Sequence, residues 1–87
     1  MRVEYAAGAR KDLKSLDRAE AARIVKKISV YTSADDPRKH AKPLSGSLSG
    51  LYRFRVGDYR VIFSIDEDGI ISVLTILVIA HRKDVYR

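Results

Sequence analysis

The sequence predicts an α+β fold in the order β-α-α-β-β-β, a helical hairpin packed on a small, mainly antiparallel sheet. Three patterns carry this expectation. Apolar residues recur at helical spacing between positions 7 and 32, alternate from position 51 to 65, and form a run apolar on both faces from Ile70 to Ala80. With 87 residues, 46% of them apolar and 32% charged, the chain has the balance of a globular protein. Its length suits one domain spanning residues 1–87.

Val3 and Tyr5 alternate with Arg2 and Glu4, the period of a first strand. A helix over Ala7 to Leu16 gathers Ala9, Leu13 and Leu16 on one face and turns Arg10, Lys11 and Lys14 to water. Asp17, followed three residues later by Glu20, has the spacing of a capping box and opens a second helix over Arg18 to Thr32. Ala21, Ile24, Val25, Ile28 and Tyr31 form its buried stripe, with Arg23, Lys26 and Lys27 outside. Ser33 to Gly50 reads as a long loop.

From Leu51 to Val56 the chain alternates, with Tyr52, Phe54 and Val56 on one face and Leu51, Arg53 and Arg55 on the other. Gly57-Asp58 is a two-residue turn with Gly first, as a type II′ hairpin prefers, which sets Val56 opposite Tyr59. Tyr59, Val61, Phe63 and Ile65 continue the apolar face. Asp66 to Gly69 reads as an acidic turn, and Ile70 to Ala80 as the central strand of the sheet.

The chain has no Cys and two His, His40 and His81, so a disulfide framework and a Cys/His zinc site are excluded. No cofactor and no metal are expected. The apolar run from Gly69 to Ala80 is too short for a membrane helix, and the N-terminal residues lack a secretory apolar core. A cytoplasmic location with no membrane partner is the expectation. A net charge of +6 attracts polyanions, nucleic acid first and an acidic protein second.

The hairpin register concentrates that charge. If Val56 faces Tyr59, then Arg55 faces Arg60 and Arg53 lies two residues further along the same surface. Like charges directly across a strand pair cost stability, so an anion held among them is the functional reading and a solvated edge the plain one. The second cluster is the tail His81-Arg82-Lys83-Asp84-Val85-Tyr86-Arg87. Tyr86 there is either an apolar plug that docks the tail or a phenol whose ionised form nearby Arg groups favour, able to act as a general base. His81 is an alternative acid or base. His40 lies in a polar segment with nothing to point it to chemistry.

Together the order Leu44-x-Gly46, the run Leu51-Tyr52-Arg53-Phe54-Arg55-Val56-Gly57-Asp58-Tyr59-Arg60-Val61-Ile62-Phe63 and the stretch His81-Arg82-Lys83-Asp84-Val85-Tyr86 resemble the RelE/ParE superfamily of type II toxin–antitoxin toxins. The resemblance spans nearly the whole chain and favours the RelE-like branch. It implies a ribosome-dependent endoribonuclease that cuts mRNA in the decoding site without a metal, with ribosome, mRNA and a cognate antitoxin as partners. By position, Arg60 and Arg82 would hold the scissile phosphate and Tyr86 would take the proton from the 2′-hydroxyl. Arg53 and Arg55 stand where the best-known RelE has Lys, which suits them as phosphate anchors rather than proton carriers. The alternatives are a ParE-like inhibitor of DNA gyrase and an inactive relative that only binds antitoxin. For the antitoxin, an apolar groove beside the helical hairpin, rimmed by Arg23, Lys26 and Lys27, is the expected seat.

Overall fold

The computed structural model describes residues 1–33, 36–68 and 71–84; Tyr86, with Val85 and Arg87, lies outside the described residues. Strand β1 (Arg2–Tyr5) leads into helix α1 (Ala7–Lys14) and helix α2 (Arg18–Thr32). Four further strands follow: β2 (Lys42–Pro43), β3 (Tyr52–Val56), β4 (Tyr59–Asp68) and β5 (Ile71–His81). They form one five-stranded sheet in the order β1-β5-β4-β3-β2. β1 runs parallel to β5, and every other pair is antiparallel.

Asp17 caps α2 as its sequence position requires, accepting the Glu20 N–H at 2.8 Å. The reciprocal half of the box is spent differently. The Glu20 carboxylate makes a two-point pair with Arg23, at 2.8 and 3.1 Å. Ile24 and Ile28 are fully buried, but Val25 is 39% exposed, because it sits at the border of the stripe where the sheet ends beneath α2.

The core lies between the helices and one face of the sheet. Ala9, Ile24 and Ile28 meet Phe54, Val56, Val61, Phe63, Leu74, Ile76 and Ile79. An aromatic chain crosses it: Tyr31 contacts Phe54 at 5.0 Å between ring centroids, Phe54 stacks on Phe63 at 4.2 Å, and Phe63 on Tyr52 at 5.6 Å. These rings tie α2 to the β3–β4 hairpin by burial plus offset stacking. α1 is tied differently. The β5 ladder to β1 ends at Ile76, and beyond it Asp12 of α1 accepts the Ile79 N–H at 2.9 Å. A carboxylate thus satisfies a backbone donor that no strand reaches.

Three expectations are corrected. Ser33 to Gly50 is not simply loop, since it carries β2, which adds to the edge of β3, and short 3-10 helices at Pro37–His40 and Gly46–Leu48. Arg38 fastens this segment through Glu67 of β4 and the Tyr52 hydroxyl, and the hydrogen bond to Glu67, then that to Tyr52, raise its pKa. Asp66, Glu67 and Asp68 are not a turn but the last residues of β4, paired with Val73, Ser72 and Ile71, because the long β5 offers them ladder partners. β5 is interior, between β1 and β4, yet the middle of the five strands is β4, since β2 extends the far edge.

Truncating the ring at the centre of the aromatic chain, Phe63→Ala, is expected to cost about 3–5 kcal/mol in chemical denaturation. Burial raises the Tyr5 phenol above its ordinary value of 10.0. The folded chain therefore holds that proton more tightly, so stability is full below about pH 10 and falls as pH rises through the folded value. In denaturation midpoints taken from about pH 9 to about pH 11.5, Tyr5→Phe should flatten this alkaline loss.

Candidate functional site

The turn at Gly57-Asp58 builds the site. Gly57 takes φ +58°, a left-handed value that favours Gly, and a Cβ there would stand 2.9 Å from the Arg23 guanidinium. The resulting register is the expected one: Val56 opposite Tyr59, Arg55 opposite Arg60, Phe54 opposite Val61 and Arg53 opposite Ile62. Directly paired residues share a face, about 4.5–5.5 Å apart at Cβ. Arg53, Arg55 and Arg60 therefore stand together on the face turned away from the helices.

Burial differs among the three. Arg55 is exposed, whereas Arg53 and Arg60 are half-buried, with their Nε atoms shut off from solvent. Ile62 stands beside them on the same face, 4% exposed and outside the main core cluster. The aliphatic stems of long cations can cover such a side chain.

β5 completes the site from its other side. Ala80 pairs with Arg60 and His81 with Tyr59. Immediately after the strand, the Arg82 N–H donates to the Asp58 carbonyl at 2.7 Å, and its Nε lies 3.9 Å from the Asp58 carboxylate. The backbone bond fixes Arg82 at the hairpin end, beside the Arg55–Arg60 pair; the ion pair is solvent-exposed and adds little. His81 is carried to the other side. Opposite Tyr59 it shares the helix-facing surface, its ring edge-on to Tyr59 at 5.5 Å, and its Nδ1 accepts the Lys83 N–H at 3.3 Å. The sheet thus separates His81 from the guanidinium face.

Lys42 is a member the sequence reading missed. β2 pairs it with Arg53, adding a cation to the same face beyond the Arg cluster. A two-residue strand carries no periodicity of its own, and Pro43 is accommodated because β2 is an edge strand. Among the described residues no group of three or more His, Cys, Asp or Glu is placed to hold a metal ion. No helix of the described residues is long and apolar enough to cross a membrane.

A groove of about 480 Å³ lies between α2 and the end of β3. Val30, Tyr31 and Val56 line it, with Arg23, Lys26, Lys27 and Arg55 around them. This is the expected groove beside the hairpin, with Arg55 as a fourth cation. Replacing Arg55 with Glu turns the Arg55–Arg60 repulsion into attraction. Arg55→Glu should therefore raise stability by about 0.2–1 kcal/mol in thermal or denaturant unfolding.

The fold and sequence have close counterparts among known proteins. The family described as the ParE toxin of the type II toxin–antitoxin system parDE matches residues 3–86. Toxin RelE of Mycobacterium tuberculosis is 39% identical over 85 residues, 98% of this chain and 84% of that protein. Toxin RelG of the same organism is 32% identical across 98% of this chain and 94% of its own length. In the crystal structure of the M. tuberculosis toxin–antitoxin complex RelBE2, a chain of 30% identity superposes with a TM-score of 0.76, covering 93% of this chain and 96% of that one. A chain of the archaeal RelE–RelB complex from Pyrococcus horikoshii, 32% identical, superposes at 0.70 and covers 95% and 96%. With a family match across nearly its whole length and relatives of this identity, the chain belongs to the RelE/ParE superfamily of type II toxin–antitoxin toxins.

Proposed function

We propose that this toxin is a ribosome-dependent mRNA endoribonuclease of the RelE type. The observation that carries the reading is the register that sets Arg55 against Arg60, with Arg53, Lys42 and Arg82 alongside, on the sheet face opposite α1 and α2. That face concentrates positive charge, the electrostatic footprint that a polyanion such as a nucleic-acid backbone matches.

The chemistry follows from the residue types. The RNA 2′-oxygen attacks the adjacent phosphorus while the bond from phosphorus to the 5′-oxygen breaks. The products are a 2′,3′-cyclic phosphate and a free 5′-hydroxyl. Charge builds on the phosphoryl oxygens, and Arg60 and Arg82 stabilise it through forked hydrogen bonds without a metal. Arg53, Arg55 and Lys42 hold flanking phosphates. Tyr86 takes the 2′-hydroxyl proton. The leaving oxygen needs a proton, and Arg is a poor donor because it binds its own so tightly. A weak acid step suits an enzyme whose substrate is positioned for it by the ribosome, with cleavage confined to the cytoplasm where translation takes place.

A cognate antitoxin is the second partner, by analogy with the RelB–RelE complexes of P. horikoshii and Methanococcus jannaschii. The groove between α2 and β3 is its proposed seat, where cations around an apolar floor suit an acidic amphipathic segment.

One observation favours another target. The matching family is that of the ParE toxin, and the superfamily's ParE-like branch inhibits DNA gyrase. Mapping of 5′ ends in cellular mRNA after brief induction separates the two. New cuts inside translated frames are expected, reduced about a hundredfold or more in Arg60→Ala and in Tyr86→Phe. Growth arrest without such cuts, joined by loss of gyrase supercoiling in the presence of the purified chain, would transfer the assignment to gyrase.

A further inference from the structure

We propose that β1 is a self-association edge, through which two copies of this chain pair antiparallel about a twofold axis at Val3 and join their sheets. The proposal stands apart from the reaction and from the basic face.

Among the described residues β1 is an outermost strand, bonded to β5 on one side only. The Ala6 N–H donates to the Ile76 carbonyl at 2.9 Å, so at that position the backbone points toward β5. Backbone groups alternate sides along a strand, which turns Arg2 and Glu4 inward to β5 and Val3 and Tyr5 outward. Val3 thus presents both its N–H and its carbonyl at the open edge. In an antiparallel ladder, two such residues set directly opposite exchange both hydrogen bonds. Val3 against Val3 of a second copy meets that condition.

Charge selects the register. With Val3 on the axis, Arg2 of each copy stands opposite Glu4 of the other. Sliding by two residues in either direction sets Arg2 against Arg2 or Glu4 against Glu4. Among registers that keep the outward groups paired, the neighbours of the Val3-centred one are therefore repulsive. Within one chain the Arg2 guanidinium already lies 2.8 Å from the Glu4 carboxylate, so the two head groups sit side by side on one face, ready to alternate with those of a second copy. Alternating charge on an edge strand discourages arbitrary partners but matches its own reversed copy.

The other face of β1 adds apolar surface. Two grooves of about 660 and 250 Å³ border β1 and share Val3, Tyr5 and Val25, the larger also taking in Arg2, Glu4 and Arg10. Val25 belongs to the helical stripe that faces the core, yet it is 39% exposed for want of a strand beyond β1. Met1, 54% exposed, stands at the same edge. A second copy lays its own β1 where that strand is missing. An acidic segment would face Glu4 and a basic one Arg2, so neither matches this edge as the chain's own sequence does.

The test is the molar mass of the purified full chain across a concentration series, by light scattering or sedimentation, with circular dichroism to check each fold. The wild type is expected to dimerise. Arg2→Glu and Glu4→Arg, each alone, should weaken self-association by at least about tenfold. The double variant carrying both exchanges should recover it. Mixing the two single variants should also yield a heterodimer, because each then faces the opposite charges, an outcome that misfolding does not produce. Val3→Pro, which removes an outward N–H and no bond to β5, should abolish the dimer and keep the fold. A wild type that stays monomeric across the series, a single charge reversal that leaves the dimer unchanged, or a mixture that fails to form the heterodimer overturns the proposal. A monomer that dimerises only with an antitoxin bound would assign the association to the partner instead.

Discussion

A two-residue turn leaves the β3–β4 hairpin one register, and the rest of the molecule is arranged around it. Gly57 at φ +58° closes the turn, so Val56 meets Tyr59. From that pair outward, one face collects Phe54, Val61 and Phe63 for the core and the other collects Arg53, Arg55 and Arg60. A slip of one residue would exchange the two faces, burying guanidinium groups under α2 and exposing the stacked rings. The apolar set makes the register costly to leave, and that cost is what holds the cations together. Arg23 of α2 packs against Gly57 and the Asp58 carbonyl accepts from Arg82, so α2 and the residue after β5 both meet the same turn.

The repulsion on the basic face is tolerated because the stabilising terms lie elsewhere. Phe54 and Phe63 are fully buried and stacked, and α1 and α2 close over them. Cross-strand charge terms are about 0.2–1 kcal/mol a pair, whereas a buried aromatic ring is worth about 3–5 kcal/mol on truncation. A single helical layer can therefore hold a sheet whose opposite face carries a cluster of cations. Ile62 marks the join between the two regimes, an apolar residue buried on the face that carries Arg53, Arg55 and Arg60.

Strong local patterns made most of this legible. Arg18–Thr32 was bounded by an Asp cap, and the hairpin carried both alternation and a Gly-first turn, so helix, strands and register could be read before any tertiary contact was known. Lys42–Pro43 could not be read, because two residues carry no period and Pro weakens the strand signal; only the edge of β3 makes them a strand. Asp66 to Asp68 look like a turn by composition and become strand because β5 is long enough to pair them. His81 was grouped with Arg82 by adjacency, but neighbours along a strand point to opposite faces. The irregularity between Ile62 and Phe63 also shifts the register, with Val78 and Ile76 as their partners and Leu77 left over. Within the site, the cations on β3 and β4 followed from alternation, while the contribution of Lys42 and the anchoring of Arg82 at Asp58 depended on contacts distant in sequence.

The same separation bears on how binding and folding are linked. Arg53, Arg55 and Arg60 are brought together only in the folded chain, so a polyanion that binds across all three recognises the register itself. Such a ligand binds the native state in preference to the unfolded one and stabilises it in proportion to the logarithm of its concentration over its dissociation constant. Salt screens exposed charges and acts in the same direction without specificity. The close pairing of Arg55 with Arg60 is thus a cost that the unliganded fold carries. A strand register held by buried rings can bear that cost, whereas one held by surface pairs could not.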